Sequence, residues 1–297
     1  MKKNLFTAAL ALLMIAGIST SCGKGGKLKG FNRAKTGLNY KFHVKTDSEK
    51  AQPGDIIIAE IWVYLGDNLE YTNEGTPEPM FQVMESQHGG DLMEALQMIG
   101  RGDSVTFAFN MDTLRKYNPG MPEDEHKFLL YTIKVEGTYT EAEFEAKMEA
   151  DQIKGELEEA EKLEAYIREN NITVKPNDDG VFVIVKTKGN GAVAAKGKTV
   201  YLNYVGRLLN GTVFDTSLED VAKENDLFNA QRQFKPLDFP VGTNYVIPGM
   251  DNAVVGMRVG TKATLIIPSK VGYGGRAMGN IPAFSTLIFD IDIVDVK

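Results

Sequence analysis

The sequence predicts an α+β fold: an antiparallel sheet packed on one short helix, present twice, with a long charged helix joining the two copies. Three observations carry this reading. Toward the C-terminus, apolar β-rich runs at 181–187, 199–208, 212–215, 261–267 and 286–296 surround a single short helical run at 250–257. Upstream, residues 37–140 repeat that order of motifs in a blurred form. Between them, residues 140–171 switch to helical spacing and carry eleven Asp/Glu against four Lys/Arg, which equals the whole formal charge of −7 of the 297-residue chain. No basic stripe is left to follow a phosphate backbone, so nucleic acid is not an expected partner.

At the N-terminus, Met1-Lys2-Lys3 and the apolar run 5–18 form the charged and hydrophobic regions of an export signal, which puts a signal peptide at 1–21. Ser19-Thr20-Ser21-Cys22-Gly23 resembles a bacterial lipoprotein cleavage box, with Cys22 as the lipidated residue and Ser19 where an aliphatic residue is usual. Cys22 is the only cysteine, so the chain can form no intramolecular disulfide. Gly- and Lys-rich residues 22–36 are expected to form a flexible tether. The expected location is a bacterial cell envelope, lipid-anchored, and periplasm-facing if the cell is Gram-negative.

Residues 37–139 make the first copy. Its Ala51-Gln-Pro-Gly-Asp-Ile-Ile-Ile lies over Ala194-Ala-Lys-Gly-Lys-Thr-Val-Tyr, its run 92–102 over 250–260, and its Leu129-Leu-Tyr-Thr-Ile-Lys-Val over Leu287-Ile-Phe-Asp-Ile-Asp-Ile. On that alignment Ile61 falls at Tyr204 and Thr72 at Asp215.

Residues 140–171 form the helical linker. Thr140 with Glu143 is a capping box, and Phe144, Met148, Ile153, Leu157, Ala160, Leu163 and Ile167 recur at helical spacing, with Gly155 as the weak point. A straight helix of this length reaches about 45 Å. Two readings stand side by side: a solvated spacer, or a helix whose apolar stripe packs on a domain or on a second copy of the chain. A homodimer through the first domain or this helix therefore stays open.

Residues 172–297 make the second copy. In Tyr204-Val-Gly-Arg-Leu-Leu-Asn-Gly-Thr-Val-Phe-Asp-Thr-Ser217, Asn210-Gly211 reads as a two-residue type I′ turn. Pairing outward sets Leu209 against Thr212, Leu208 against Val213, Gly206 against Asp215 and Tyr204 against Ser217. Tyr204 and Asp215 then share a face as diagonal neighbours about 7–8 Å apart, a gap that a Tyr side chain can close and that Gly206 leaves open.

The same text, followed by Val246-Ile247-Pro-Gly-Met250, Gly256-Met-Arg-Val-Gly260, Leu265-Ile-Ile-Pro268, Tyr273-Gly274, Ile281-Pro282 and Leu287-Ile-Phe289-Asp, resembles the FKBP-type peptidyl-prolyl cis-trans isomerases. The resemblance covers about residues 172–297, and the first copy then reads as a degenerate FKBP-like domain. It implies a twisted antiparallel sheet wrapped on the short helix, with an apolar pocket between them. Tyr204, Asp215, Ile247 and Tyr273 would be catalytic, with the Ile247 N–H and the Tyr273 hydroxyl binding substrate carbonyls. Phe214, Leu237, Phe239, Val246, Met250, Ile281 and Phe289 would line the substrate pocket. Met250 stands where the family often has a tryptophan, and Leu237 replaces a frequent aromatic. Strict alternation puts Phe214 on the face opposite the pocket, so its role requires a bulge. The chain is also longer here than in the smallest family members, so by the same resemblance residues 218–234 would form an enlarged flap beside the pocket.

The implied partners are proline-containing unfolded or nascent exported proteins. The competing reading is a non-catalytic chaperone or assembly module that holds unfolded chains in the same cleft. Neither cofactor nor metal is expected: His43, His88 and His126 are scattered, and with one cysteine they supply no ligand spacing.

Overall fold

A computed structural model describes residues 28–75, 80–118 and 126–297. The signal peptide, Cys22 and the first part of the tether lie outside the described residues. The chain divides into two compact units, with the boundary between Lys147 and Met148.

The first unit contains β1 (Asn32–Arg33), β2 (Asn39–Val44), β3 (Ile56–Leu65), β4 (Asn68–Thr72), β5 (Met80–Gln82), α1 (Leu92–Gln97), β6 (Ser104–Asn110), α2 (Met111–Tyr117) and β7 (Phe128–Tyr139). Helix α3 (Glu141–Glu169) leads into the second unit, with β8 (Phe182–Thr187), β9 (Thr199–Leu208), β10 (Val213–Thr216), α4 (Glu219–Glu224), β11 (Leu237–Pro240), α5 (Pro248–Val254), β12 (Lys262–Ile267) and β13 (Leu287–Val296). Two residues of the expected tether 22–36 belong to a strand. Asn32 and Arg33 pair with β2, because Gly37, at φ +98°, lets the chain reverse between them.

The predicted α+β architecture and its duplication hold. Strands run β2-β6-β7-β3-β4 in one sheet and β8-β12-β13-β9-β10 in the other, with β5 on β3 and β11 on β9 in matching places; all these pairings are antiparallel. In each unit the inner sheet face closes on the short helix. Ile57, Leu96, Ile99, Phe107 and Ile133 are fully buried in the first, and Val200, Leu202, Val254, Leu265 and Ile267 in the second. Pro248 at the first turn of α5 suits a position where a backbone N–H has no helical acceptor.

Register confirms one alignment and corrects another. Ile61 pairs with Ile133 as Tyr204 pairs with Ile291. Ile61 N donates to Asn73 Oδ1 as Tyr204 N donates to Ser217 Oγ, so Ile61 and Tyr204 are structural equivalents. Opposite Val63, however, stands Tyr71, as Asp215 stands opposite Gly206. The equivalent of Asp215 is therefore Tyr71, not Thr72. The β3–β4 loop closes from Leu65 to Asn68, one residue shorter than the loop from Leu208 to Thr212, and that missing residue slips the count by one.

The β9–β10 hairpin also differs from a type I′ turn. Gly211 N donates to Leu208 O and Leu208 N to Thr212 O, while Gly211 alone takes positive φ, at +90°. This is a three-residue loop ending in a left-handed glycine. It sets Val213 against Arg207, and a bulge then inserts Phe214 before Asp215 resumes pairing with Gly206. The expected Gly206–Asp215 register survives because the bulge absorbs the residue that the longer loop takes up.

Candidate active site

The bulge aims two consecutive side chains at one place. Phe214 packs edge-on to Phe289 at 5.6 Å between ring centres, and Asp215 Oδ2 accepts from the Tyr204 hydroxyl at 2.5 Å. Tyr204 is buried, 6.0 Å from Phe289. Gly206 makes this corner possible, since a Cβ there would lie 2.7 Å from the Phe214 ring and 2.9 Å from that of Phe289.

The remaining expected residues join the same apolar cluster. Phe239 from β11, Met250 from α5, Ile281 from the loop before β13, and Phe289 are buried members, while Phe214, Leu237, Val246, Ile247 and Tyr273 pack partly exposed against them. Every residue expected in the pocket is therefore brought together. Two residues packed against this cluster carry a polar group that is unengaged: among the described residues the Ile247 N–H and the Tyr273 hydroxyl have no hydrogen-bond partner. Burial pushes the Tyr204 phenol well above its ordinary range, and the hydrogen bond and charge of Asp215 push it further. Burial also raises Tyr273, again with a contribution from the Asp215 charge. Both phenols are donors at any physiological pH.

Two residues, Arg232 and Asp251, escaped sequence reasoning, and a third, Ser217, was placed opposite Tyr204 without its side-chain role. Arg232 on the flap donates to Asp215 Oδ1 at 2.6 Å, to the Tyr204 oxygen at 3.3 Å and to Thr216 O at 2.9 Å, so the flap braces the phenol–carboxylate pair. Fully buried Asp251 on α5 accepts from Gly242 N and Asn244 N, each at 2.7 Å, and thereby fixes the loop that presents Val246 and Ile247. Ser217 caps the end of β10 with its backbone and side chain on Tyr204. The only signal for Arg232 was that Asp215 needs a cation; nothing in the spacing selects it among the charges of the insert.

Residues 191–294 match the family model described as FKBP-type peptidyl-prolyl cis-trans isomerase. Over 227 residues the chain is 33% identical to the FKBP-type 22 kDa peptidyl-prolyl cis-trans isomerase of Escherichia coli, covering 73% of this chain and 98% of that protein. The chain belongs to the FKBP-type peptidyl-prolyl cis-trans isomerase family. It is also 39% identical over 118 residues to FK506-binding protein 4 of Gibberella zeae, covering 40% of this chain and 21% of that one, so it spans about a fifth of that relative's length. The crystal structure of FkpA from Escherichia coli is similar at 31% identity and a TM-score of 0.40, covering 52% of this chain and 65% of that one.

Within this FKBP-type chain the family match falls wholly in the second unit. The first unit keeps the fold and loses the polar pair: Ile61 and Tyr71 occupy the Tyr204 and Asp215 positions, and Glu70 takes the bulge position of Phe214. Phe81 stands on Ile57 as Phe239 stands on Val200, so what persists is core packing.

Proposed function

We propose that the second unit catalyses cis–trans isomerisation of X–Pro bonds in unfolded or nascent exported proteins in a bacterial cell envelope. The observation that carries this reading is the Tyr204–Asp215 pair set into an aromatic wall, with the free Ile247 N–H and Tyr273 hydroxyl beside it. The reaction is rotation about an amide with a barrier of about 20 kcal/mol, and no covalent bond is made or broken. Only differential binding can lower such a barrier. The planar amide is charge-separated and poorly solvated among Phe214, Phe239, Phe289 and Ile281, whereas the twisted amide has lost much of that resonance. The Ile247 N–H and Tyr273 hydroxyl hold the flanking carbonyls, and Asp215, oriented by Tyr204 and Arg232, polarises the rim where the carbonyl turns. A differential of about 5.5 kcal/mol gives roughly 10⁴-fold acceleration.

Loss of the polar pair in the first unit supports a different use there, in holding client chains near the catalytic unit. Lipidation of Cys22 would keep the protein at the membrane, and Cys22→Ser is expected to release it into the soluble fraction. The deciding experiment is isomerisation of a short proline peptide by the full chain. We expect clear acceleration that falls in Asp215→Ala and in Tyr273→Phe. Absence of acceleration by the wild type would leave only the chain-holding reading, and unchanged rates in both variants would remove the assigned roles.

A further inference from the structure

Helix α3 buries one residue, and that residue is charged. Glu159 is 8% exposed, while the apolar residues Met148, Ile153 and Leu157 stand half or more exposed on the same helix. Among the described residues its carboxylate has no cationic partner. Oε1 accepts from Ser269 N at 2.6 Å and from Thr286 Oγ1 at 2.5 Å, and Oε2 accepts from Ser269 Oγ. Ser269 and Thr286 are themselves each 3% exposed.

These contacts grip both ends of one loop. Ser269 opens the short 3-10 turn that leads into Tyr273, and Thr286 immediately precedes β13. Between them lie Tyr273 and Ile281. One turn earlier on the helix, Phe284 at φ +54° lays its ring where a Cβ on Gly155 would meet it at 2.3–2.7 Å. One to two turns later, the Tyr166 oxygen accepts from Arg207 at 3.4 Å. Gly155, Glu159 and Tyr166 fall at helical spacing, so a single face of α3 seats the loop and the adjoining sheet.

A buried carboxylate is costly, and an apolar side chain of similar volume would seal this face at lower cost. What only a carboxylate offers is acceptance of several donors at once in fixed directions. We propose that Glu159 is a positioning residue of the isomerase site: through it, helix α3 sets the Ser269–Thr286 loop so that the Tyr273 hydroxyl and Ile281 stand at the substrate. This rests on the isomerase reading above and deepens it. The linker is then part of the catalytic unit, and a unit cut at residue 172 lacks a component of its own site. Because substrate and helix engage the same loop, each strengthens the binding of the other by the same factor.

The test uses the full chain with Glu159→Ala, Glu159→Gln, Gly155→Leu and, as a control, Glu158→Ala on the exposed face. The readouts are kcat and KM on a short proline peptide, and amide hydrogen exchange resolved by segment. A misplaced loop is expected to lower kcat/KM about 10-fold in Glu159→Ala and Gly155→Leu. Exchange should quicken across 269–286 while β9 and β13 stay protected. Glu159→Gln, which keeps Oε1 as an acceptor, should lose only two- to threefold, and Glu158→Ala should match the wild type. Unchanged kcat/KM in Glu159→Ala with a loosened loop would overturn the positioning role, as would a loss accompanied by uniform deprotection of the whole unit. An inactive wild type would overturn the isomerase reading instead. In that event the exchange arm still decides whether Glu159 holds the loop, since unchanged protection there refutes it.

Discussion

Replacing Gly206 by Ala tests how tightly the aromatic wall is set against β9. The added methyl would lie 2.7 and 2.8 Å from two atoms of the Phe214 ring and 2.9 Å from Phe289. Carbon atoms pack comfortably at about 3.5–4.0 Å, so the rings must retreat by roughly 0.8 Å. Gly206 lies in the middle of a strand with ordinary negative φ, so the backbone itself tolerates alanine. Overpacking of this kind costs about 1–3 kcal/mol. The same retreat shifts Phe214 away from the proline ring and is expected to lower kcat/KM by about 10- to 100-fold. Gly211→Ala separates the two effects. Gly211 has φ +90° and nothing within 4 Å of an added Cβ, so alanine there costs about 1–2 kcal/mol of backbone strain without touching the wall. Urea denaturation and peptide isomerisation on both variants should give comparable losses of stability but an activity loss only in Gly206→Ala. Equal activity in the two variants would refute the argument that Gly206 shapes the catalytic wall.

Tyr204→Phe removes a phenol whose pKa is pushed up by burial and then by Asp215. A raised folded-state value contributes stability that is complete below about pH 10 and fades as pH rises toward that value. The stability gap between wild type and variant should therefore be constant near neutrality and shrink above about pH 10; a gap independent of pH to 11 would contradict the buried pair. In the first unit, Asp103 is fully buried and accepts from Lys50 at 2.7 Å, Thr46 N at 2.7 Å and Gly100 N at 3.0 Å. Burial alone would raise its carboxyl, but these donors outweigh burial and hold it below the ordinary range. The stability it supplies is present above about pH 4 and lost as pH falls through the folded value. Asp103→Asn is expected to cost about 3 kcal/mol at pH 7 and to flatten the acid limb of the first unit's unfolding curve; an unchanged acid limb would show that another group governs it.

The repeated topology was legible because strand order follows from motif order, and Leu129 and Leu287 do hold equivalent places beside Leu65 and Leu208. The clustering of the expected pocket residues was legible from motif order rather than from one kind of element: Tyr204, Phe214, Asp215, Leu237, Phe239 and Phe289 come from strands, Met250 from α5, and Val246, Ile247, Tyr273 and Ile281 from the segments between them. What failed were the local counts. A loop one residue shorter turned Tyr71 into Thr72, and the expected two-residue turn is a three-residue loop compensated by the Phe214 bulge. Of the two readings of helix α3, packing on a domain holds within the second unit, but not through the whole apolar stripe: Phe144, Leu163 and Ile167 are half-buried and Ile153 and Leu157 exposed, while Gly155, Glu159 and Tyr166 make the specific contacts. A small residue and two hydrogen-bonding residues give no hydropathy signal. Arg232 was illegible because an irregular insert decides which of its charges turns back onto Asp215.

The two units differ at the decisive pair while sharing a fold, and that difference supplies the most direct measurement. The full chain carrying Tyr204→Ile and Asp215→Tyr bears in its second unit the residues that the first unit carries at those places. The rate of cis–trans exchange of a short proline peptide, followed by NMR line shape, is expected to be strongly accelerated by the wild type and to return to the uncatalysed value with this variant. Acceleration that survives the double substitution would place catalysis outside the Tyr204–Asp215 site and contradict the account.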